Sequence, residues 1–125
     1  MSSVHAPVSD MLITVKSREV QRGMLAEMGN RETEARRHFL AAAHLELVLA
    51  GDYEQAGGLE LARRSRISAA SCFWRGGDPE RAQTIFDGLI AEAPDRAAEI
   101  DEIVQDLDHN RPSPPVRHGA APPGG

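Results

Sequence analysis

A short loop signature occurs twice in the chain, as Gly-Asp-Tyr-Glu-Gln-Ala at residues 51–56 and as Gly-Asp-Pro-Glu-Arg-Ala at residues 77–82. Each copy follows a long apolar-rich segment and precedes another, which is the position of a turn in a helical hairpin. Glycine accepts the left-handed conformation that ends a helix, and the aspartate after it can cap the next helix by accepting a hydrogen bond from a backbone amide. The repeated signature therefore predicts helical hairpins.

The details of the two copies differ. In the second, Pro79 falls at the first helical position, where a missing amide proton costs nothing, and Glu80 adds a negative charge at the positive end of the helix dipole. In the first, Asp52 and Gln55 have the spacing of a capping box. Both copies thus predict a helix that begins immediately after the glycine.

Composition narrows the class of protein. The 125 residues, of which 41% are apolar, are enough for one domain with a single core. The net charge of -5 argues against partners such as nucleic acid or acidic membrane surfaces, because nonspecific binding to them needs a dominant basic field. The single cysteine, Cys72, excludes an internal disulfide framework and is expected to be a small buried hydrophobe beside Phe73.

The first ten residues lack the basic start and the long apolar stretch of a secretory signal. No segment approaches the ~20 apolar residues that a membrane span requires. We therefore expect a soluble, cytoplasmic protein without a membrane partner.

Apolar periodicity predicts an all-α fold of about five antiparallel helices, at about 9–28, 31–50, 53–75, 79–93 and 95–107. The second, apolar on most sides after Phe39, is expected at the centre, and Gly57-Gly58 predicts a bend or a close crossing in the third. Residues 1–8 are predicted to be flexible, residues 9–108 to form the helical domain, and the Pro/Gly-rich tail, 109–125, to be disordered.

From residue 63 to residue 96 the chain resembles one tetratricopeptide repeat (TPR). The resemblance rests on small, aromatic and proline positions in the spacing of that family: Ala69, Ala70, Phe73, Gly77, Asp78, Ala82, Phe86 and Pro94. It implies a helical hairpin in which small residues let two helices approach and aromatic rings fill the space between them.

The first copy fits this pattern less well. His44 stands where the family has a small residue, and Glu60 where it has an aromatic one. The glycines of the two copies, Gly51 and Gly77, are 26 residues apart (77 − 51), whereas a full repeat takes about 34. The segment 53–75 is therefore expected to serve two overlapping hairpins, and both a TPR-like array and a compact helical bundle remain open.

The resemblance implies a function in binding. Such modules hold a peptide or partner protein in a groove lined by the first helix of each hairpin, and the corresponding positions are Arg64, Ile67, Ser71, Trp74 and Arg75. Two guanidinium groups suit carboxylates and a tryptophan suits an apolar anchor, so we expect an acidic peptide. The alternative is that Trp74 belongs to the core and the arginines form a solvated face.

Charge is unevenly distributed along the chain. Residues 87–108 contain eight acidic side chains and one basic, Arg96, whereas the middle of the chain is basic. The basic residues are Arg63, Arg64, Arg66 and Arg75. The last helix is therefore expected to cover the basic face within the chain, or to meet it on another copy in a homo-oligomer.

Catalytic and metal-binding patterns are weak. Glu34 and His38 share a helical face, but the repeated Glu-x-x-His spacing of di-iron bundles is absent, and His44 is expected to be a core or interface residue. No phosphate loop, zinc motif or nucleophile elbow is present. We therefore predict a non-enzymatic protein-protein interaction module without a cofactor; the alternatives are a self-associating bundle and a small metal- or ligand-binding helical enzyme.

Overall fold

The computed structural model describes residues 6–110, and within them it contains five α-helices and no strand. The helices are α1 (Ala6–Met28), α2 (Glu32–Gln55), α3 (Leu59–Arg75), α4 (Pro79–Glu92) and α5 (Ala97–His109), and a 3-10 turn (Pro94–Arg96) separates α4 from α5. The predicted all-α class is confirmed. The predictions of a flexible N-terminus and a disordered tail, including its proline run at 111–115, fall mostly outside the described residues.

The first copy of the loop signature is not a loop, and that prediction is wrong. Gly51 and Asp52 lie inside α2, which continues to Gln55. The turn occurs instead at Gly57, whose φ of +84° is the left-handed conformation that an L side chain rarely adopts. Gly57-Gly58 is thus the hairpin turn, rather than a bend inside a helix that starts at residue 53.

Three turns of the same kind join the first four helices. In each, one residue has a positive φ: Asn30 (59°), Gly57 (84°) and Gly77 (90°). At the second turn the Gly58 amide donates to the Tyr53 carbonyl at 2.8 Å, and the Gly57 amide to the Glu54 carbonyl at 3.0 Å. The other two turns repeat this pair of bonds, which is the Schellman pattern that ends a helix.

The second copy of the signature forms the predicted turn. The Asp78 side chain accepts a hydrogen bond from the Arg81 amide at 3.1 Å, and Pro79 occupies the first helical position of α4. The α3–α4 hairpin therefore contains the residues that carry the TPR resemblance, except Pro94, which begins the 3-10 turn after α4. Membership of that family stays a prediction.

Each helix packs against the next one along the chain. Helix α2 lies between α1 and α3, α3 packs on α4, and α5 contacts both α4 and α3. Residue pairs across the hairpins show antiparallel packing, as where His44 meets the ring of Phe73 and Leu40 meets Gly76. Among the described helices, α1 approaches only α2 through its backbone.

The core combines small residues with one phenylalanine from each of three helices. Phe39 of α2, Phe73 of α3 and Phe86 of α4 are fully buried. They are surrounded by buried alanines, which are Ala26, Ala35, Ala42, Ala43, Ala70 and Ala82. Alanine surfaces let the helix axes approach closely, so the rings fill what space remains.

Because the turn lies at Gly57 and not at Gly51, replacing these two glycines by alanine should change the stability in opposite directions. Gly51 lies in a helix with nothing within 4 Å of an added Cβ, so Gly51→Ala should raise the free energy of unfolding by about 0.5–1 kcal/mol. Gly57→Ala should lower it by about 1 kcal/mol, because alanine is strained at the positive φ. Urea unfolding of the two variants measures both, and a destabilised Gly51→Ala protein would contradict the assignment.

Candidate partner-binding cleft

A cleft of about 230 Å³ lies between α1 and α3, with α2 as its floor. It forms because α1 and α3 both pack on α2 while their backbones stay apart. Three residues of α2 line the floor, and the walls come from the first halves of α1 and α3. The lining residues are Ile13, Lys16, Glu46, Leu49, Tyr53, Leu61, Arg64, Ser65 and Ser68.

An ion pair crosses the floor of the cleft. The ammonium of Lys16 on α1 lies 3.3 Å from a carboxylate oxygen of Glu46 on α2, and the Glu46 side chain is only 6% exposed. A buried carboxylate without a partner is costly, so this pair fixes α1 beside α2. In the sequence, Glu46 is one of only two polar residues in the otherwise apolar run 39–50.

The rim of the cleft is apolar and carries one basic residue. Ile13 and Leu61, on opposite walls, remain 37% and 47% exposed. Arg64 is exposed and makes neither an ion pair nor a hydrogen bond with any other described residue. The rim therefore offers two aliphatic side chains and a guanidinium group to a ligand.

Beyond the lined part of the cleft, Arg75 joins α3 to α1. Its guanidinium Nη2 lies 2.8 Å from a carboxylate oxygen of Glu27, and its plane covers the Phe39 ring at 4.2 Å from the ring centre. Arg75 thus binds to one residue on each of the other two helices. Its charge is already compensated within the chain.

The five predicted binding residues all lie on α3, and they differ in their surroundings. Arg64 alone lines the cleft. Ile67 and Trp74 are partly buried against the core, as the core alternative for Trp74 expected, and the Ser71 hydroxyl donates to the Ile67 carbonyl at 3.0 Å. Sequence reasoning missed Ile13, Lys16 and Tyr53, whose only signal was helical periodicity.

One contact of α5 agrees with the charge-based prediction that the acidic last helix covers the basic residues within the chain, and it involves Arg63 alone of the four. Arg63 is buried, lies 3.6 Å from a carboxylate oxygen of Glu99 and donates to the Leu89 carbonyl near the end of α4 at 3.5 Å. Arg96 donates to both carboxylate oxygens of Glu60 at 2.9 and 3.0 Å, which lowers the pKa of Glu60. This docking does not reach Arg64.

The two histidines of α2 have different surroundings. His38 Nδ1 lies 3.0 Å from Glu19 of α1, and Nε2 lies 3.8 Å from Glu34, so the ring joins two helices. His44 is exposed and so is not a core residue, but its ring edge contacts Phe73 of α3 at 5.2 Å between centroids; its prediction as an interface residue stays a prediction. Among residues 8–110, no group of three or more metal-binding side chains is placed to hold an ion.

The chain matches no protein-family model, and no match to it was found among curated proteins or solved structures. None of the described helices combines the length and the apolar character needed to cross a bilayer.

Because Cys72 is buried, its contribution to the stability of the fold depends on pH. Burial, and secondarily Glu46, raise the pKa of the thiol from 9.0 to about 11. The folded state thus favours the neutral thiol, so its contribution to stability is complete below about pH 9 and is lost as the pH rises towards 11. Relative to Cys72→Ala, the wild-type stability should fall over that window.

The same burial predicts slow thiol chemistry. Ellman's reagent at about pH 8 should react with Cys72 far more slowly in the folded protein than in urea, because the thiolate is the nucleophile. The Cys72→Ala protein provides the background rate. Equal rates in the folded and unfolded chains would contradict the burial of this side chain.

Proposed function

We propose that the protein is a non-enzymatic interaction module that binds an acidic peptide segment in the cleft between α1 and α3. The observation that carries the proposal is the exposed, unpaired Arg64 beside the aliphatic rim of Ile13 and Leu61. An anchor side chain of the peptide enters between the two aliphatic residues, and a neighbouring carboxylate pairs with the guanidinium.

The size of the cleft supports a peptide rather than a small-molecule substrate. Its volume of about 230 Å³ is below the roughly 300–1,000 Å³ of typical ligand pockets. It accommodates one or two side chains of a segment that lies across the two helices. The hydroxyls of Ser65 and Ser68 on the same wall offer hydrogen bonds to the backbone of such a segment.

The proposal keeps the kind of function that the TPR resemblance implies and moves its site. The predicted surface on α3 required both Arg64 and Arg75, but Arg75 is paired with Glu27 and covers Phe39. Binding energy for a peptide therefore comes from Arg64, while Arg75 contributes to the docking of α1. The two arginines have separable roles in this proposal.

A phage-displayed library of random peptides tests the proposal. Selected peptides should combine a carboxylate with a large aliphatic or aromatic residue, and Arg64→Ala should weaken their affinity about tenfold, because it removes one charge-assisted contact. Fluorescence anisotropy measures the affinity. Arg37→Ala is the matched control. Arg37 is exposed and lies nine residues before Glu46, so it is on the side of α2 opposite to the cleft.

Stability measurements distinguish the role of Arg75 from that of Arg64. Arg75→Ala should lower the free energy of unfolding, because it exposes the Phe39 ring and leaves Glu27 without its partner, whereas Arg64→Ala should leave it unchanged. Peptides that bind Arg64→Ala as tightly as the wild type would refute the proposed site.

A further inference from the structure

Helix α1 carries a second surface on the flank that lies away from the cleft. Six exposed residues follow one another at alternating intervals of three and four along this flank. We call them the outer seam: Val8, Met11, Val15, Arg18, Arg22 and Leu25. The seam borders the strip of α1 that is buried against α2, since buried Ala26 follows Arg22 by about one helical turn.

The spacing of the outer seam is that of a helix-pairing surface. Alternating intervals of three and four average 3.5 residues, which keeps a stripe of side chains in line with a neighbouring helix. The four apolar members are between 40% and 66% exposed. No other described helix approaches this face, since α1 packs on α2 alone. Among the described helices, the stripe therefore has no partner of the kind that its spacing fits.

The charge of the outer seam indicates the chemistry of its partner. Arg18 and Arg22 are its fourth and fifth members, after three apolar residues and before Leu25. Glu19, which contacts His38 of α2, also lies 3.4 Å from Arg22. Arg18 has no partner among the described residues. A fitting helix therefore carries carboxylates opposite these two arginines, towards one end of its stripe, and apolar residues on both sides of them.

A second copy of this chain does not fit that description. Two outer seams together would place four arginines in one interface without an added carboxylate. The acidic helix α5 offers carboxylates, but within the described residues its apolar side chains Ile103, Val104 and Leu107 are partly buried against the core. It presents no exposed large apolar side chain for the ends of the seam.

We propose that the outer seam of α1 docks an amphipathic helix of another protein, whose apolar stripe is interrupted towards one end by acidic residues. The docked helix buries Met11, Val15 and Leu25 and pairs its carboxylates with Arg18 and Arg22. This surface is separate from the cleft, because the seam and the cleft-lining Ile13 and Lys16 lie on different sides of α1.

The probe is a synthetic helical peptide of three heptads, with glutamate at the two stripe positions that face Arg18 and Arg22 and leucine at the other stripe positions. We expect it to bind the full chain, and a matched peptide with lysine at those two positions to bind about tenfold more weakly. The Arg18→Glu variant should reverse that preference. Arg18 is exposed and unpaired, so this variant retains the fold, which circular dichroism checks.

Two further variants decide where the peptide binds. Met11→Asp should abolish binding, because it places a charge in the apolar part of the seam, whereas Arg64→Ala should leave this binding unchanged and so separates the seam from the cleft. Equal binding of the glutamate and lysine peptides, or binding that survives Met11→Asp, would overturn the proposal. Sedimentation equilibrium that shows self-association abolished by Met11→Asp would also overturn it, in favour of a second copy.

Discussion

Close packing of α2 against its two neighbours depends on positions where a side chain is missing. A Cβ on Gly23 of α1 would lie 2.9 Å from the Phe39 ring, and one on Gly76 would lie 2.7 Å from Leu40. These two contacts let α1 and α3 each lie close to α2. Because both helices are held by α2, they are not driven towards each other. The cleft between them is a consequence of that arrangement.

Charged side chains contribute to holding α1 in position against the rest of the chain. Its described polar contacts to the rest of the chain are Lys16 with Glu46, Glu19 with His38, and Glu27 with Arg75. A buried charge without a partner is costly, so a shift of α1 along α2 would separate the Lys16–Glu46 pair at a high cost. The exposed pairs add less than about 1 kcal/mol each. The pairs therefore fix the register of α1, while the Gly23–Phe39 contact supplies its close approach.

The sequence was sufficient to predict the helices and the turn at Gly77. It was not sufficient to predict the turn at Gly57 or the residues that line the cleft. Helix stripes such as Ile85, Phe86 and Leu89 need only periodicity, and the Asp78 cap with Pro79 is local chemistry. At the first hairpin two glycine signals compete, and buried Leu49 and Ala50 favour a helix that continues past Gly51. Periodicity also shows that a face of α3 is buried without showing which neighbour buries it. Hence Arg75, predicted in a groove, instead covers Phe39.

Helix α1 takes three roles because it has only one backbone neighbour. A helix inside a bundle buries a wide apolar stripe, whereas α1 seats on α2 by a narrow strip of small residues around Gly23 and Ala26. One flank is then left for the cleft, through Ile13 and Lys16, and the other flank is left for the seam. This packing explains why α1 exposes large apolar residues such as Met11. A helix that contacts only one neighbouring helix leaves part of its apolar surface uncovered.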